Sequence, residues 1–250
     1  MTSSPTDRRD AGVIAVAAPV RVRERLAAAP DGPRAVVHAG PAAIYVDLDG
    51  WCLGLVSTTA TRVPCALWST LPDLGVLEPI VRVDGGELVV GDRTTRTTRL
   101  VDPRATTVGP RTGVRRPQSV TSSLDLPADG QLTPARLDRL VGRGPGLTPL
   151  GDDVLAGWFT TRAALGRPDD ALATAVRRRL GATTLLSATL LDCALRGEAL
   201  PQLAAWLAEP TDSTADALLA VGATSGAGLL AGAELAITSL QDRTSPGRAA

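Results

Sequence analysis

The pattern of apolar and polar positions changes period near the middle of the chain. In the first half, short β-branched runs at 13–18, 35–38, 44–48, 52–57, 80–83 and 88–90 alternate with turn residues. Runs of this length, bounded by Gly, Pro and Asp, predict strands. Asp49-Gly50 and Asp84-Gly85-Gly86 separate pairs of these runs and predict tight hairpins, because glycine reaches positive φ without steric penalty. One helix is expected at 20–29.

Residues 103–130 are rich in Pro, Thr, Ser, Gly and Arg and have no sustained apolar period, as expected of a long connection or a lid. Beyond them the spacing becomes helical. Thr133 can cap a helix, Pro134 suits its first position, and Leu137, Leu140 and Val141 follow on one face. Further helices are expected at 152–165, 168–180, 183–196, 200–208, 213–221 and 226–240. The pattern thus predicts an α+β chain, an N-terminal mostly-β domain followed by a C-terminal all-α helical bundle. Its expected divisions are a disordered start at 1–12, a β domain at 13–117, a linker at 118–130, a helical domain at 131–243 and a flexible tail at 244–250.

Composition narrows the possible chemistry. The 250 residues are 44% hydrophobic, enough for a sizeable core, but only 2% aromatic, so Ala, Leu and Val must fill most of it. Trp51, Trp68, Trp158 and Trp206 are expected as core anchors. Net charge is zero and every basic side chain is Arg, with no basic tract interleaved with aromatics, which argues against nucleic acid as a partner. The absence of Lys excludes Schiff-base chemistry and a Lys-bearing phosphate loop. Cys52, Cys65 and Cys193 lack disulfide or zinc spacing, and His38 is the single histidine, without a companion for a triad or metal site. The polar start does not read as a signal peptide, so the expected location is cytoplasmic. The uncharged stretch 217–233 is broken by glycines and reads as two buried helical segments joined by a tight turn, rather than a membrane span.

The richest candidate for chemistry is Gly142-Arg143-Gly144-Pro145-Gly146-Leu147-Thr148-Pro149-Leu150-Gly151-Asp152-Asp153. Glycines at 142, 144 and 146 let backbone approach a ligand, and a helix starting near Gly151 points free N–H groups outward. Arg143 can clamp a phosphate or carboxylate, and the Thr148 hydroxyl can donate or ligate. The neighbouring carboxylates Asp152 and Asp153 suit a cation or an amide nitrogen instead. The same residues also fit a plain αα turn in which Asp152 caps the helix and Asp153 complements its dipole.

A second segment echoes the first. When Gly151 is aligned with Gly226, Asp153 falls on Gly228, Leu155 on Leu230, Ala156 on Ala231 and Gly157 on Gly232. The expectation is that two glycine-started helices cross closely at Gly157 and Gly232 with their N-termini converging, so that Thr224, Ser225 and Gly226 join the site. Thr183 and Ser187, four apart on a helix start, share a face and are candidates to line the same place, or simply to cap and back-bond. Arg177, Arg178 and Arg179 read as a solvated helix end, and Cys193 as a small buried residue.

The stretch 142–157 reads G-x-G-x-G-L-T-P-x-G-D-D-x-L-x-G and resembles the hallmark of the AllH-like family, which includes a subunit of oxamate carbamoyltransferase from allantoin degradation. The resemblance implies a component of a carbamoyl-transferring complex in purine nitrogen catabolism, working with an FdrA-like subunit and a third subunit. On that footing the loop holds carbamoyl phosphate or a related acyl-phosphate or carboxylate. Gly142, Arg143, Gly144, Gly146, Thr148, Gly151, Thr183, Ser187, Thr224, Ser225 and Gly226 would bind it, while Asp152 and Asp153 would act on the carbamoyl nitrogen or on Mg²⁺. Two other functions stay open: a non-catalytic assembly or ligand-sensing subunit, and a stand-alone enzyme acting on carboxylates or amides.

Overall fold

The computed structural model describes residues 12–110, 120 and 123–241. The chain forms two compact units that divide at Asp102/Pro103. Most of the expected disordered start and all of the expected tail at 244–250 lie outside the described residues, as do 118–119 and 121–122 of the expected linker.

The first unit is a nine-stranded mixed sheet with one helix. Its strands are β1 (Val13–Pro19), β2 (Gly32–Pro33), β3 (Val36–Ala39), β4 (Ala43–Asp47), β5 (Cys52–Val56), β6 (Ala66–Ser69), β7 (Val81–Asp84), β8 (Glu87–Val90) and β9 (Arg93–Val101). They lie in the order β2-β7-β8-β9-β1-β6-β5-β4-β3. β1 pairs in parallel with β9, and β5 in parallel with β6, while the other pairings are antiparallel. The expected hairpins form: Asp49 and Gly50 have φ of 54° and 81°, Gly85 and Gly86 of 56° and 74°. Positive φ at both central residues matches the right-handed twist of the strands they join.

Alternation along β1 buries Ile14, Val16 and Ala18, and β4 and β5 are buried almost throughout. Helix α1 (Val20–Ala28) adds Val22 and Leu26 to the core. It is tied to the β7–β8 turn by Arg23, whose Nη1 donates to the Gly86 carbonyl at 2.9 Å.

Three strands escape the hydrophobic pattern. β9 reads RTTRTTRLV, with Thr95 its one buried residue. The Thr95 hydroxyl accepts from the Leu88 amide at 3.2 Å, so this polar side chain is buried without an unmet hydrogen bond. Threonine's branched Cβ favours extended backbone even where the strand is polar. β6 and β2 are too short to show a period of their own.

The second unit is helical. It holds α2 (Pro134–Leu140), α3 (Leu150–Ala164), α4 (Asp170–Arg177), a 3-10 turn (Leu180–Ala182), α5 (Leu185–Ala194), α6 (Pro201–Ala208), α7 (Asp212–Leu219) and α8 (Ser225–Gln241). Helix starts are fixed by side chains where the sequence supplies them. Asp169 accepts from Leu172 N at 2.9 Å, Thr184 from Ser187 N at 3.1 Å, and Thr211 and Thr214 form a reciprocal box. Thr133 stands at the N-cap of α2, but its side chain makes no capping bond, contrary to the expectation. Asp152 is not a cap either: α3 begins two residues earlier, after Pro149. No helix among the described residues is long and apolar enough to cross a membrane, and the 217–233 stretch is split between α7 and α8 as expected, but its α7 part is not buried as expected, with Leu218 the one buried residue there.

Residues 103–110, expected to belong to a free connection, run against the helical unit. Ala199 N donates to Pro103 O, Ala105 N to Gly197 O and Gly109 N to Leu207 O, at 2.8–2.9 Å. Trp51, Trp158 and Trp206 are buried as expected, whereas Trp68 is only partly so. The three cysteines are free and buried, and His38 lies exposed on β3. Arg177 and Arg178 face solvent, while Arg179 pairs with Asp138 at 2.6 Å.

α3 and α8 make the most extensive helix contact of this unit. Residues 151–162 of α3 are buried all round, which its apolar and small side chains permit. A Cβ on Gly157 would stand 2.8 Å from the Leu229 carbonyl carbon, and one on Gly232 would stand 2.8 Å from that of Val154 and 3.0 Å from Trp158 N. Both positions meet backbone, so the helices touch main chain to main chain, and only glycine fits on either side.

Candidate functional site

The loop from α2 to α3 turns on three glycines with positive φ, 70° at Gly142, 126° at Gly144 and 90° at Gly146. It closes on itself where Gly151 N donates to Arg143 O at 2.9 Å. The loop is pinned from the start of α5 by Thr184, whose hydroxyl donates to Leu147 O at 2.5 Å. Residues 143–147 are exposed, and among the described residues the amides of Gly144 and Gly146 donate no hydrogen bond.

Asp152, in the first turn of α3, is 2% exposed and collects three donors. Gly142 N reaches Oδ1 at 2.9 Å, while the hydroxyls of Thr183 and Ser187 reach Oδ2 at 2.5 and 2.7 Å. Thr183 is not on the helix as expected but lies just ahead of its N-cap Thr184 in extended backbone, and its hydroxyl and that of Ser187 nevertheless both turn on Asp152. This carboxylate ties loop, α3 and the start of α5 together, and charge-assisted bonds of this kind are about twice as strong as neutral ones.

Asp153, one residue on, is 6% exposed and in a different environment. Its Oδ2 is buried and has no hydrogen-bond partner. Burial pushes its pKa up to about 8, a hydrogen bond with Ser225 works the other way, and the neighbouring Asp152 raises it further. The two adjacent carboxyl groups thus meet different surroundings: Asp152 is bonded to three donors, whereas Asp153 holds its proton at neutral pH.

The second segment meets the first here. Thr148 Oγ1 lies 2.9 Å from Ser225 Oγ, so the N-termini of α3 and α8 converge as the internal echo implies. A Cβ on Gly228 would come within 2.7 Å of Asp153 Cβ and 3.0 Å of Leu150 Cδ1. The missing carboxylate at 228 therefore has a packing reason: α8 lies on Asp153, and no side chain fits between them. Gly226 N is spent on Val221 O at 2.9 Å, and Thr224 and Arg143 are exposed. Of the amides expected to hold an anion, those of Gly142, Gly151 and Gly226 are already engaged within the protein.

No group of three or more His, Cys, Asp or Glu side chains suited to a metal occurs among the described residues. With Asp152 occupied by three donors, Asp153 Oδ2 is the open ligand of the expected pair. One buried oxygen does not fit the octahedral oxygen shell that Mg²⁺ demands.

Fold and site together define an α+β chain whose helical unit folds a glycine loop around two unlike carboxyl groups. Residues 140–237 match the family described as oxamate carbamoyltransferase subunit AllH, a span that takes in the loop, both converging helix starts and most of α8. No curated protein and no solved structure matches the chain.

Sequence reasoning found Asp152, Asp153, Thr148, Thr183, Ser187 and Ser225, which the fold does bring together. It did not foresee that Thr184, at the start of the helix expected at 183–196, would pin the loop as well as cap that helix.

Proposed function

We propose that this chain is a subunit of a carbamoyltransferase complex of the oxamate type and that the 142–151 loop binds carbamoyl phosphate or a related acyl-phosphate. The family match over 140–237 supports the subunit role. The observation that carries the site is Asp153 Oδ2, a buried oxygen without a partner beside the glycine loop at two converging helix starts. Buried polar atoms in folded proteins are nearly always satisfied, and an exception calls for an explanation such as a catalytic role or a bound water, ion or ligand. The anionic end of the ligand takes the unspent amides of Gly144 and Gly146 and the Arg143 side chain, and the carbamoyl end faces Asp153. Catalysis then rests on positioning and on stabilising developing charge, which suits a chain without Lys and with one His. FdrA-like and further subunits would complete the assembly.

Isothermal titration of the purified chain with carbamoyl phosphate, with and without Mg²⁺ and with co-purified subunits, tests this. Saturable binding that Gly146→Val abolishes is expected. Absence of binding to the chain and to the assembled complex would overturn it.

A second reading is a non-catalytic assembly subunit. It is favoured by the internal use of the Gly142, Gly151 and Gly226 amides and by the exposure of Leu147 (38%) at the loop tip. In that case Leu147→Ser disrupts co-purification of partners while carbamoyl phosphate binding is absent from the start.

A further inference from the structure

We infer that the outer face of β1 and β9 docks an acidic, extended segment of a partner protein, with Arg96 and Arg99 pairing alternate carboxylates of that segment. The surface belongs to the first unit, outside the matched residues 140–237, so the inference stands apart from the loop and its ligand.

A bulge in β9 creates the surface. Residues three apart, such as 96 and 99, point to opposite faces of a regular strand, because side chains alternate. Here the register against β1 slips between Val16 and Ala17: Ala15 pairs with Arg96, but Ala17 pairs with Arg99 instead of Thr98. The spare residue is held by its own hydroxyl, since Thr98 Oγ1 donates to Val16 O at 3.2 Å. Directly opposed residues share a face, so both arginines stand with Ala15 and Ala17, away from the buried Ile14, Val16 and Ala18. Re-aiming a side chain is a common use of a bulge.

On the other side of β1 the same face carries Trp68, which pairs with Ala17. Its Nε1 donates to Val63 O at 3.0 Å, which fixes the ring, and the Arg62 guanidinium lies 5.7 Å from the ring centroid. The result is a shallow trough floored by the two alanines, with Trp68 and Arg62 along one side and Arg96 and Arg99 along the other. Arg62, Arg96 and Arg99 are exposed, and among the described residues none of the three enters an ion pair or donates a hydrogen bond. Glu87 acts on Arg96, but more strongly on Arg23.

This chemistry selects the occupant. A guanidinium fork binds a carboxylate through two parallel hydrogen bonds. Ala15 and Ala17 set the two arginines two strand positions apart, ~7 Å, which is also the spacing of residues i and i+2 in an extended segment. Nucleic acid fits less well. Its binding rests on many phosphate contacts, whereas this chain has zero net charge and the one ring in the trough already carries Arg62.

A fluorescein-labelled peptide of alternating Glu and Ala provides the test, titrated by anisotropy into the full chain, with a Gln-Ala peptide as control. Saturable binding of the Glu-Ala peptide alone is expected, weakening as salt rises. Arg96→Glu with Arg99→Glu should weaken it by about tenfold or more, while Arg96→Lys with Arg99→Lys should keep most of it. Unlabelled peptide should change the tryptophan fluorescence of the wild type and leave that of Trp68→Phe unchanged. If the double reversal lowers the urea midpoint, Arg99→Glu alone carries the comparison. No saturable binding, equal binding by the charge-reversed chain, or a fluorescence change that survives Trp68→Phe overturns the inference. So does tighter binding of a single-stranded oligonucleotide or of phosphatidylserine vesicles that the same reversals abolish, because the face then serves a different anion. Carbamoyl phosphate titrated into the charge-reversed chain reports on the loop separately, so failure of either reading is seen without the other.

Discussion

Gly232→Ala is the sharpest test of how this fold holds its site. In a solvated helix the change would stabilise by about 1 kcal/mol, because alanine is the better helix former. Here the added methyl would stand 2.8 Å from the Val154 carbonyl carbon and 3.0 Å from Trp158 N, and it would press hardest on the Val154 carbonyl oxygen. None of these atoms is the end of a flexible side chain. Relief requires α8 to move away from α3 along the largest helix contact of the unit. Overpacking costs about 1–3 kcal/mol when side chains can shift, and backbone contact on this scale belongs at or above the top of that range. The net expectation is a loss of about 2 kcal/mol or more, a large part of the ordinary ~5–15 kcal/mol stability of a domain. Urea unfolding followed by circular dichroism at 222 nm measures it, with Gly181→Ala as the control. Gly181 has open space around its Cβ position and no positive φ, so that variant should match the wild type. If Gly232→Ala unfolds at the wild-type urea midpoint or above, the close crossing of α3 and α8 is wrong, and with it the convergence of their N-termini on Asp153.

Asp152→Ala strands the Gly142 amide and the Thr183 and Ser187 hydroxyls, so a loss of about 3 kcal/mol is expected, visible as a lower urea midpoint. An unchanged midpoint would remove Asp152 as the brace of the loop. Asp153 should give the protein a pH dependence with a definite sign. Its pKa is about 8 in the folded chain against 3.8 for the ordinary group, so the folded state keeps a proton that the unfolded state loses. Stability contributed by that proton is full below about pH 4, declines as pH rises toward 8, and then levels off. Asp153→Asn should remove this slope and be more stable than the wild type at pH 8.5; parallel pH profiles for the two proteins would refute the assignment. Cys52, Cys65 and Cys193 are fully buried, and burial pushes the Cys52 thiol up to about 12. Ellman's reagent should therefore find no fast-reacting thiol in the native chain and three after denaturation.

The parts of the fold that were legible in the sequence are those where a local rule operates. β1, β4 and β5 announce themselves by β-branched runs, the two hairpins by Asp-Gly chemistry, and α3 to α8 by helical spacing with Gly, Pro and Thr at their boundaries. β9 was not legible, because its Thr and Arg residues carry no apolar alternation. It becomes a strand by pairing with β1 and β8, and Thr95 is buried only because Leu88 N is there to use its hydroxyl. The tether of 103–110 to the helical unit was hidden for the same reason: its backbone bonds go to Gly197, Leu207 and Ala199, nearly a hundred residues away.

The site divides along the same line. The sequence by itself determined that 142–153 is a glycine loop leading into a helix with two carboxyl groups in its first turn. It also showed that 222–232 repeats part of that pattern, since glycine spacing and residue type are local properties. Only the tertiary structure decided that the two carboxyl groups differ. Asp152 meets Gly142, Thr183 and Ser187, whereas Asp153 lies beneath Gly228 with an oxygen left over. Adjacent residues on a helix point about 100° apart, so neighbours in sequence enter different surroundings. Apart from the Gly142 amide, the donors and the desolvation come from residues 183–187 and from α8, which no reading of the loop alone contains.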